Sequence, residues 1–393
     1  MDERLDQIEK HGRIFLIILG ILCVFGITMV YSSSYIYAKE TFGNSGYLFY
    51  KQFAYLFLGT GLAFIVSKTK LNFWLKFSWH ISIILTFLLL LTFIPGLGVS
   101  IKGAHRWLAL GPIRFQPGEF SKYAIVILSL NIFQHYKTWT QNQLLKQAAP
   151  IAVSLLLLLL QPDFGTFSIC LVLIAAVCFL SDFPRKYLYS SVVVSILLVI
   201  PILLAKPYRV RRLFAFLDPW KNPQTSGFQV IQSYLAFASG SIFGEGLGNS
   251  NEKLFYLPEA HNDFVFSVIG EELGFFGIFC LVMAFVCLIF FGFKLAASLK
   301  FSITRILVAT IVFAIGFQVI LNMGVVLGLL PTKGLNLPFI SAGGSSLVAN
   351  FWAVGLMFSA VKKEKDDLYE KEELLENFSQ DAQSNRQSYF ARG

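Results

Sequence analysis

The stretch LGFFGIFCLVMAFVCLIFFGF, residues 273–293, decides the class of this protein because it contains no charged or hydroxyl-bearing side chain. A helix needs about 20 mostly apolar residues to cross the hydrocarbon core of a bilayer. The apolar character extends upstream, so the sequence predicts a spanning helix over residues 263–293. Glu271 and Glu272 lie inside this segment and indicate either a tilted helix or a helix with a break.

The composition of the whole chain agrees with that stretch. Of the 393 residues, 55% are hydrophobic and only 14% are charged, whereas a soluble protein carries about 25% charged residues. These values exclude a soluble enzyme, a disordered protein, a collagen and a disulfide scaffold. The five cysteines all lie in apolar runs and show no C-x-x-C metal spacing, so we interpret them as small core residues.

Further apolar segments on both sides of residues 263–293 predict an all-α polytopic membrane protein with about ten transmembrane helices. A large, partly helical extracytoplasmic loop over about 206–262 is expected between spans seven and eight. Residues 1–13 form the cytoplasmic N-terminus, 14–361 the membrane domain and 362–393 a charged cytoplasmic tail, expected to have one helical segment followed by disorder. The predicted spans are 14–35, 48–67, 73–95, 117–136, 146–161, 165–182, 187–205, 263–293, 304–330 and 340–361.

The positions of lysine and arginine predict the orientation. Cations precede the first span and follow the last, so the positive-inside rule places both termini in the cytoplasm. Two outer loops, about 96–118 and 206–262, nevertheless carry several cations. Long loops are translocated to the outer side largely regardless of their charge, which can explain the cations of the loop at 206–262. This explanation does not cover the short loop at 96–118, whose cations therefore indicate binding of an anion such as phosphate or carboxylate.

Ionisable side chains near membrane depth are costly and are therefore functional candidates. Asp263 opens the eighth predicted span, where it is either a general base at a cavity edge or a helix cap. Glu119 and Lys122 are three residues apart on one helical face and can pair, in a site or as an interfacial salt bridge. Arg106 can clamp phosphate with its planar fork, and Trp107 is also typical of an interfacial anchor.

Other polar positions have structural explanations of comparable weight. Asp163 lies in the turn QPDFGT, residues 161–166, where a turn or helix cap is the commoner role. On a helix Glu271 lies about 80° from the Asp263 face and Glu272 nearly opposite it, so at most one shares the cavity and structural roles are favoured for both. The segment SAGGSS, residues 341–346, either allows close helix packing or binds an anion. A membrane enzyme and a transporter or lipid flippase both remain open, and the asymmetric polar loop favours the enzyme.

Several segments resemble, in order, those of a known family. They are GAHRWLALG (103–111), QPGEFSK (116–122), QPDFGT (161–166), GFQVIQS and GEGLGNS of the long loop, LPEAHNDFVFSVIGEELG (257–274) and LPTKGLNLPFISAGGSS (330–346). The chain resembles the SEDS family (shape, elongation, division and sporulation), the FtsW/RodA/SpoVE group of bacterial peptidoglycan glycosyltransferases. The resemblance covers residues 14–361 and is closer to the division branch than to the elongation branch.

The resemblance implies polymerisation of lipid II into glycan strands at the outer face of the bacterial cytoplasmic (inner) membrane, at the division septum. The implied partners are lipid II, the nascent glycan strand, membrane lipid, a class B penicillin-binding protein that supplies the transpeptidase, and other division proteins, with no nucleic acid. A divalent cation, Mg²⁺ or Mn²⁺, is the one candidate cofactor, and its ligands are unassigned. A lipid-linked precursor flippase and an elongation polymerase are the alternatives.

The resemblance also assigns site residues. The family's essential loop aspartate falls on Asp263, its Arg-Trp pair on Arg106 and Trp107, and its fourth-span pair on Glu119 and Lys122. We predict that Asp263 is the general base. The cations expected to offset the leaving pyrophosphate are Arg106, Lys122 and Lys253. The full set of expected substrate-binding residues is Arg106, Trp107, Gln116, Glu119, Lys122, Lys253, Glu259, His261, Ser341 and Ser345.

Three positions depart from the usual residues of the family. Asn262 stands where Thr is usual, Gly118 where Ser is usual and Ala342 where Tyr is usual. Because all three are side-chain changes beside matched residues, we expect them to alter the fine geometry of the site more than the activity.

Overall fold

A computed structural model gives the structure of most of the chain. Seven helices in the described part are long and apolar enough to cross a membrane, and the helix Phe164–Leu180 is apolar but shorter. The prediction of an all-α polytopic membrane protein is confirmed. The residues described are 2–101, 104–111, 113–186, 189, 193, 216–224, 227–250, 260–331 and 334–390.

Nine of the ten predicted spans lie on helices, and the predicted seventh span, 187–205, falls almost wholly outside the described residues. The first helix begins at Asp2, well before the predicted residue 14, and the last continues through the predicted tail to Phe390. One further helix lies in the long loop. The helices are α1 (Asp2–Phe42), α2 (Tyr47–Lys68), α3 (Leu71–Leu91), α4 (Pro117–His135), α5 (Gln141–Leu160), α6 (Phe164–Leu180), α7 (Phe228–Gly240), α8 (Val265–Ser298), α9 (Ser302–Val326) and α10 (Gly344–Phe390), with a 3-10 turn at Pro219–Lys221.

The loop predicted over 96–118 contains a small antiparallel sheet, which sequence reasoning missed. Its strands are β1 (Gly98–Ile101), β2 (Ala104–Leu110) and β3 (Ile113–Phe115), in the spatial order β1-β2-β3. Arg106 and Trp107 are adjacent on β2, so their side chains leave opposite faces of the sheet. The sheet therefore gives these two residues a fixed backbone that an irregular loop would not provide.

Helix α4 is the most enclosed element near the predicted site. Most of its side chains are buried, and it contacts α3, α5, α6, α9 and α10. Around it, α10 packs along α2, and α1 packs along α8. Because α4 carries Glu119 and Lys122 in this interior, both charges need partners, since an unpaired buried charge costs several kcal/mol.

Helix α8 is interrupted at Gly274, so the broken-helix interpretation of this span is confirmed. Gly274 has a φ of 66°, a left-handed conformation that glycine adopts without steric cost. The backbone carbonyls of Glu271 and Glu272 accept hydrogen bonds from the amides of Glu245, at 2.9 Å, and Gly246, at 3.0 Å. The loop after α7 therefore supplies the hydrogen-bond donors for the last carbonyls of the first half of α8.

Candidate functional site

Asp263 lies two residues before the first residue of α8. Its side chain is half-buried, and a Cβ atom placed on Gly334 would lie 3.0 Å from its Oδ2. The Asp263 carbonyl accepts a hydrogen bond from Asn322 Nδ2 at 2.9 Å. The N-cap position of α8 belongs to Phe264, so Asp263 does not occupy the capping position that the alternative interpretation required. The carboxylate thus lies at a helix start, with its own main chain held from α9.

Two buried amide side chains on α9 organise the segment 334–337, which has no helix or strand of its own. Asn322 Nδ2 donates to the carbonyl of Leu335 at 2.6 Å as well as to Asp263. Gln318 Nε2 donates to the carbonyl of Asn336 at 2.9 Å. Both amides are 1% exposed, so α9 supplies these carbonyls with donors from the protein interior.

Sequence reasoning did not single out Gln318 or Asn322. The available signal was two uncharged amides, four residues apart, in an otherwise apolar span. Residues at this spacing share one face of a helix. An amide carries no charge, so a search for ionisable groups at membrane depth passes over both.

The predicted pairing of Glu119 with Lys122 is confirmed. Lys122 Nζ donates to Glu119 Oε2 at 2.8 Å and to Gln318 Oε1 at 2.8 Å. The residues are 6% and 2% exposed, so the pair is buried inside the bundle and is not an interfacial salt bridge. The charge of Lys122 is therefore already balanced and partnered within the protein.

Arg106 joins the sheet to the turn between α5 and α6. Its Nη2 donates to the carbonyl of Pro162 at 2.6 Å, and its Nη1 lies 3.6 Å from Asp163 Oδ1. Asp163 accepts hydrogen bonds from the amide and hydroxyl of Thr166, at 3.3 and 2.9 Å, which confirms the predicted helix cap. The Arg106 side chain keeps a 25% exposure, so part of its guanidinium remains accessible.

Two serine hydroxyls of the Gly/Ser segment 341–346 contact main-chain groups. Ser345 Oγ accepts from the Gln116 amide at 3.1 Å and donates to the Arg114 carbonyl at 3.3 Å. Ser341 Oγ accepts from the Leu337 amide at 2.8 Å. Both serines are buried. The segment therefore connects β3 and the chain after Gly334 to the start of α10, while substrate binding by either serine stays a prediction.

The remaining predicted site residues divide into described and undescribed ones. The His261 ring stacks on Tyr37 with 5.0 Å between centroids, and its carbonyl accepts from the Ala342 amide at 2.9 Å. Trp107 is half-buried on β2. Two of the predicted residues lie outside the described part of the chain, namely Lys253 and Glu259.

Glu271 and Glu272 are buried beside the break in α8. The Ser250 hydroxyl donates to Glu271, and the Ser32 hydroxyl donates to both carboxylate oxygens of Glu272, at 2.7 and 2.5 Å. Each glutamate is 1% exposed. These contacts support the predicted structural role for both.

The described residues thus bring one half-buried carboxylate, Asp263, next to a backbone segment that α9 ties to the buried pair on α4. Arg106, which is partly exposed, lies on strand β2, and β2 contacts α4. Within the described part of the chain, no three His, Cys, Asp or Glu side chains come together as a metal site. A half-buried carboxylate is suited to accept a proton from a hydroxyl within hydrogen-bond reach.

A profile of the FtsW/RodA/SpoVE group, described as a cell cycle protein, matches residues 13–366. The chain belongs to the FtsW/RodA/SpoVE family. The match confirms the resemblance found in the sequence motifs, and it spans the whole of the predicted membrane domain.

Curated relatives in the FtsW/RodA/SpoVE family are similar along most of their length. A probable peptidoglycan glycosyltransferase FtsW from Geobacter sulfurreducens is 37% identical over 357 residues, which are 90% of this chain and 95% of the relative. A protein of the same description from Legionella pneumophila is 40% identical over 342 residues, 86% of this chain and 87% of the relative.

Solved structures share the fold of this FtsW/RodA/SpoVE chain. A chain of a peptidoglycan synthase complex, solved for the structural coordination of polymerization and crosslinking, has a TM-score of 0.69 at 28% identity. It covers 89% of this chain and 97% of its own length. The rod shape determining protein RodA of Thermus thermophilus has a TM-score of 0.63 at 25% identity, with 89% and 96% covered. The helical architecture is thus that of an FtsW/RodA/SpoVE membrane domain.

Proposed function

We propose that this chain is a peptidoglycan glycosyltransferase that polymerises lipid II into glycan strands for septal cell-wall synthesis. The observation that carries the proposal is the half-buried carboxylate of Asp263 at the start of α8, on a main chain whose carbonyl accepts from Asn322. It occurs in a chain that is 37–40% identical to probable peptidoglycan glycosyltransferases. Their description as FtsW supports a role in division over the elongation alternative.

In the proposed reaction, Asp263 acts as the general base. Its carboxylate accepts the proton from the 4-hydroxyl of the acceptor sugar while that oxygen attacks the anomeric carbon of the growing chain. The bond between this carbon and the lipid pyrophosphate breaks, its electron pair leaves with the pyrophosphate, and the configuration at the carbon inverts. A positioned general base contributes roughly 10²- to 10⁴-fold to such a rate.

The leaving pyrophosphate requires a cation. Arg106 is partly exposed on β2 and already directs its guanidinium toward the α5–α6 turn, so we assign it to the phosphate oxygens. Lys122 is fully enclosed by Glu119 and Gln318, so it acts on the site through its contacts and its field. Lys253, the third predicted cation, lies outside the described residues.

The cellular setting follows from the same proposal. We place the chain in the bacterial cytoplasmic membrane at the division septum, with both termini in the cytoplasm, as the cation distribution suggests. A class B penicillin-binding protein is the proposed partner, because the similar chain in a peptidoglycan synthase complex belongs to a system that coordinates polymerization with crosslinking. No step above requires a divalent cation, so the metal enters only as a variable of the assay.

The test is a polymerisation assay with purified protein. Lipid II is supplied with and without a cognate class B synthase, with Mg²⁺, Mn²⁺ or chelator, and the products are separated on a gel. We expect a ladder of glycan strands that is absent with Asp263→Asn, while the variant keeps the wild-type melting temperature. Asp263→Asn at near wild-type rate would remove the base assignment. If no partner or metal condition yields a ladder, lipid translocation in vesicles tests the flippase alternative.

A further inference from the structure

The proposed acid–base step uses Asp263, yet the reaction assigns no role to Asn322, which holds the Asp263 main chain, or to Gln318, which holds the neighbouring segment at Asn336. We infer that Gln318 and Asn322 are positioning residues for glycosyl transfer. They fix the positions of the Asp263 main chain and the segment 334–337 relative to the buried Glu119–Lys122 pair on α4. This inference rests on the proposed function and names the residues that set the geometry of its base.

Asn322 clamps the two chain segments on either side of the Asp263 carboxylate. One Nδ2 group donates to the carbonyl of Asp263 at 2.9 Å and to the carbonyl of Leu335 at 2.6 Å. Gly334, next to Leu335, is the residue whose backbone lies against Asp263 Oδ2. Asn322 therefore ties the main chain that carries the carboxylate to the backbone beside it.

Gln318 extends the clamp to α4. Its Nε2 donates to the carbonyl of Asn336 at 2.9 Å, and its Oε1 accepts from Lys122 at 2.8 Å. Lys122 in turn contacts Glu119 at 2.8 Å. A continuous chain of hydrogen bonds thus runs from the buried ion pair to the segment beside the proposed base.

The amide of Gln318 both donates and accepts, and the amide of Asn322 donates to two carbonyls. The carbonyls of Leu335 and Asn336 need donors, and Lys122 needs an acceptor. A hydrocarbon at either position would leave buried carbonyls unsatisfied, whereas a carboxylate would supply an acceptor and no donor. Because the two amides are four residues apart, one face of α9 serves both contacts.

The expected consequence is catalytic. A general base must lie within hydrogen-bond reach of the hydroxyl that it deprotonates. A misplacement of about 1 Å in a reacting group costs about 10²-fold in rate. Loss of either amide donor should therefore lower kcat more than it changes KM for lipid II.

The experiment uses near-isosteric variants of the full-length protein with its cognate synthase. Gln318→Glu keeps the acceptor for Lys122 and loses the donor to Asn336, and Asn322→Asp loses the donor to both its carbonyls. Thr310→Val is the control, because Thr310 is also buried on α9 and its hydroxyl has no partner among the described residues. Polymerisation rates against lipid II concentration and melting temperatures are measured for all three.

We expect kcat to fall about 10- to 100-fold in Gln318→Glu and Asn322→Asp. KM should stay within about twofold of the wild-type value. Thr310→Val should match the wild type in kcat, KM and melting temperature. A kcat within roughly threefold of wild type in both amide variants would overturn the inference. It would equally be overturned if kcat falls only in proportion to the loss of folded protein, since that marks a purely structural role.

A second measurement separates this inference from the proposed function. Amide hydrogen exchange of residues 260–264 and 334–343 should increase together in Asn322→Asp and remain unchanged in Thr310→Val. If the wild type polymerises no lipid II, the proposed function fails. The positioning role of Asn322 is then still tested by the amide hydrogen exchange of Asn322→Asp. Unchanged exchange in Asn322→Asp would reject the clamp even in an active enzyme.

Discussion

Carboxylates lie both at the start of α8 and beside its break at Gly274, but they differ in burial and in hydrogen-bond partners. At the break, Glu271 and Glu272 are 1% exposed and accept serine hydroxyls, and the loop after α7 satisfies their carbonyls. At the start, Asp263 is half-buried, and α9 holds its main chain. The comparison teaches that the break is a closed structural joint, whereas the start presents a carboxylate on a fixed backbone.

The largest expected difference between the two regions is in rate. Asp263→Asn should reduce polymerisation roughly 10²- to 10⁴-fold because it removes a general base. Glu272→Gln should polymerise at a rate within roughly threefold of wild type per folded molecule, since its buried carboxylate accepts from the Ser32 hydroxyl inside the bundle. Initial rates and melting temperatures of both variants test this. Equal losses of polymerisation rate in the two variants would contradict this difference and indicate that Asp263 and Glu272 both take part in the reaction.

The second prediction concerns the pair on α4 to which the α8 start is connected. Lys122→Met leaves Glu119 buried without its cation and should cost about 3–5 kcal/mol of unfolding free energy. The double variant Glu119→Gln with Lys122→Met should recover much of this loss, because no uncompensated charge remains. Denaturant unfolding in detergent measures both. Additive losses would show that the two residues are not energetically paired.

The third prediction tests the break. Gly274→Ala places a side chain at a φ of 66°, against the backbone of Ile242 and Gly244, and should cost about 1–3 kcal/mol or more. Gly20→Ala is the matched control, since a Cβ there meets no atom within 4 Å. That variant should be neutral or more stable by up to about 1 kcal/mol. Similar stability of the two variants would argue against a strained joint at Gly274.

The smallest effect is expected at the start of α10. Ser345→Ala removes the hydroxyl that contacts Gln116 and Arg114 and should cost about 0.5–1.5 kcal/mol of stability. KM for lipid II should not change if this hydroxyl serves the backbone alone. A raised KM with unchanged melting temperature would instead support the predicted role of Ser345 in substrate binding.

Sequence patterns predicted the helices because an apolar run of spanning length has few alternatives in a bilayer. The break in α8 was also foreseeable, since Glu271, Glu272 and Gly274 interrupt that run. The small sheet was not, because strands of 3, 4 and 7 residues leave a weak periodic pattern.

The candidate site was only partly predictable for a different reason. The motifs identified Asp263 and the pair on α4, because charges at membrane depth stand out. The contact between Lys122 and Gln318 joins residues 196 positions apart. Asn322 donates to backbone carbonyls, which every residue has whatever its side chain. Such contacts depend on tertiary packing, and a single sequence contains no local signal for them.

The length of α10 has a mechanical consequence. Its 47 residues, at 1.5 Å of rise each, give a path of about 70 Å, more than twice the roughly 30 Å thickness of a hydrocarbon core. Ser345, in its first turn, contacts the backbone at Gln116. One helix therefore connects the chain near Phe390 directly to the backbone around the proposed active site.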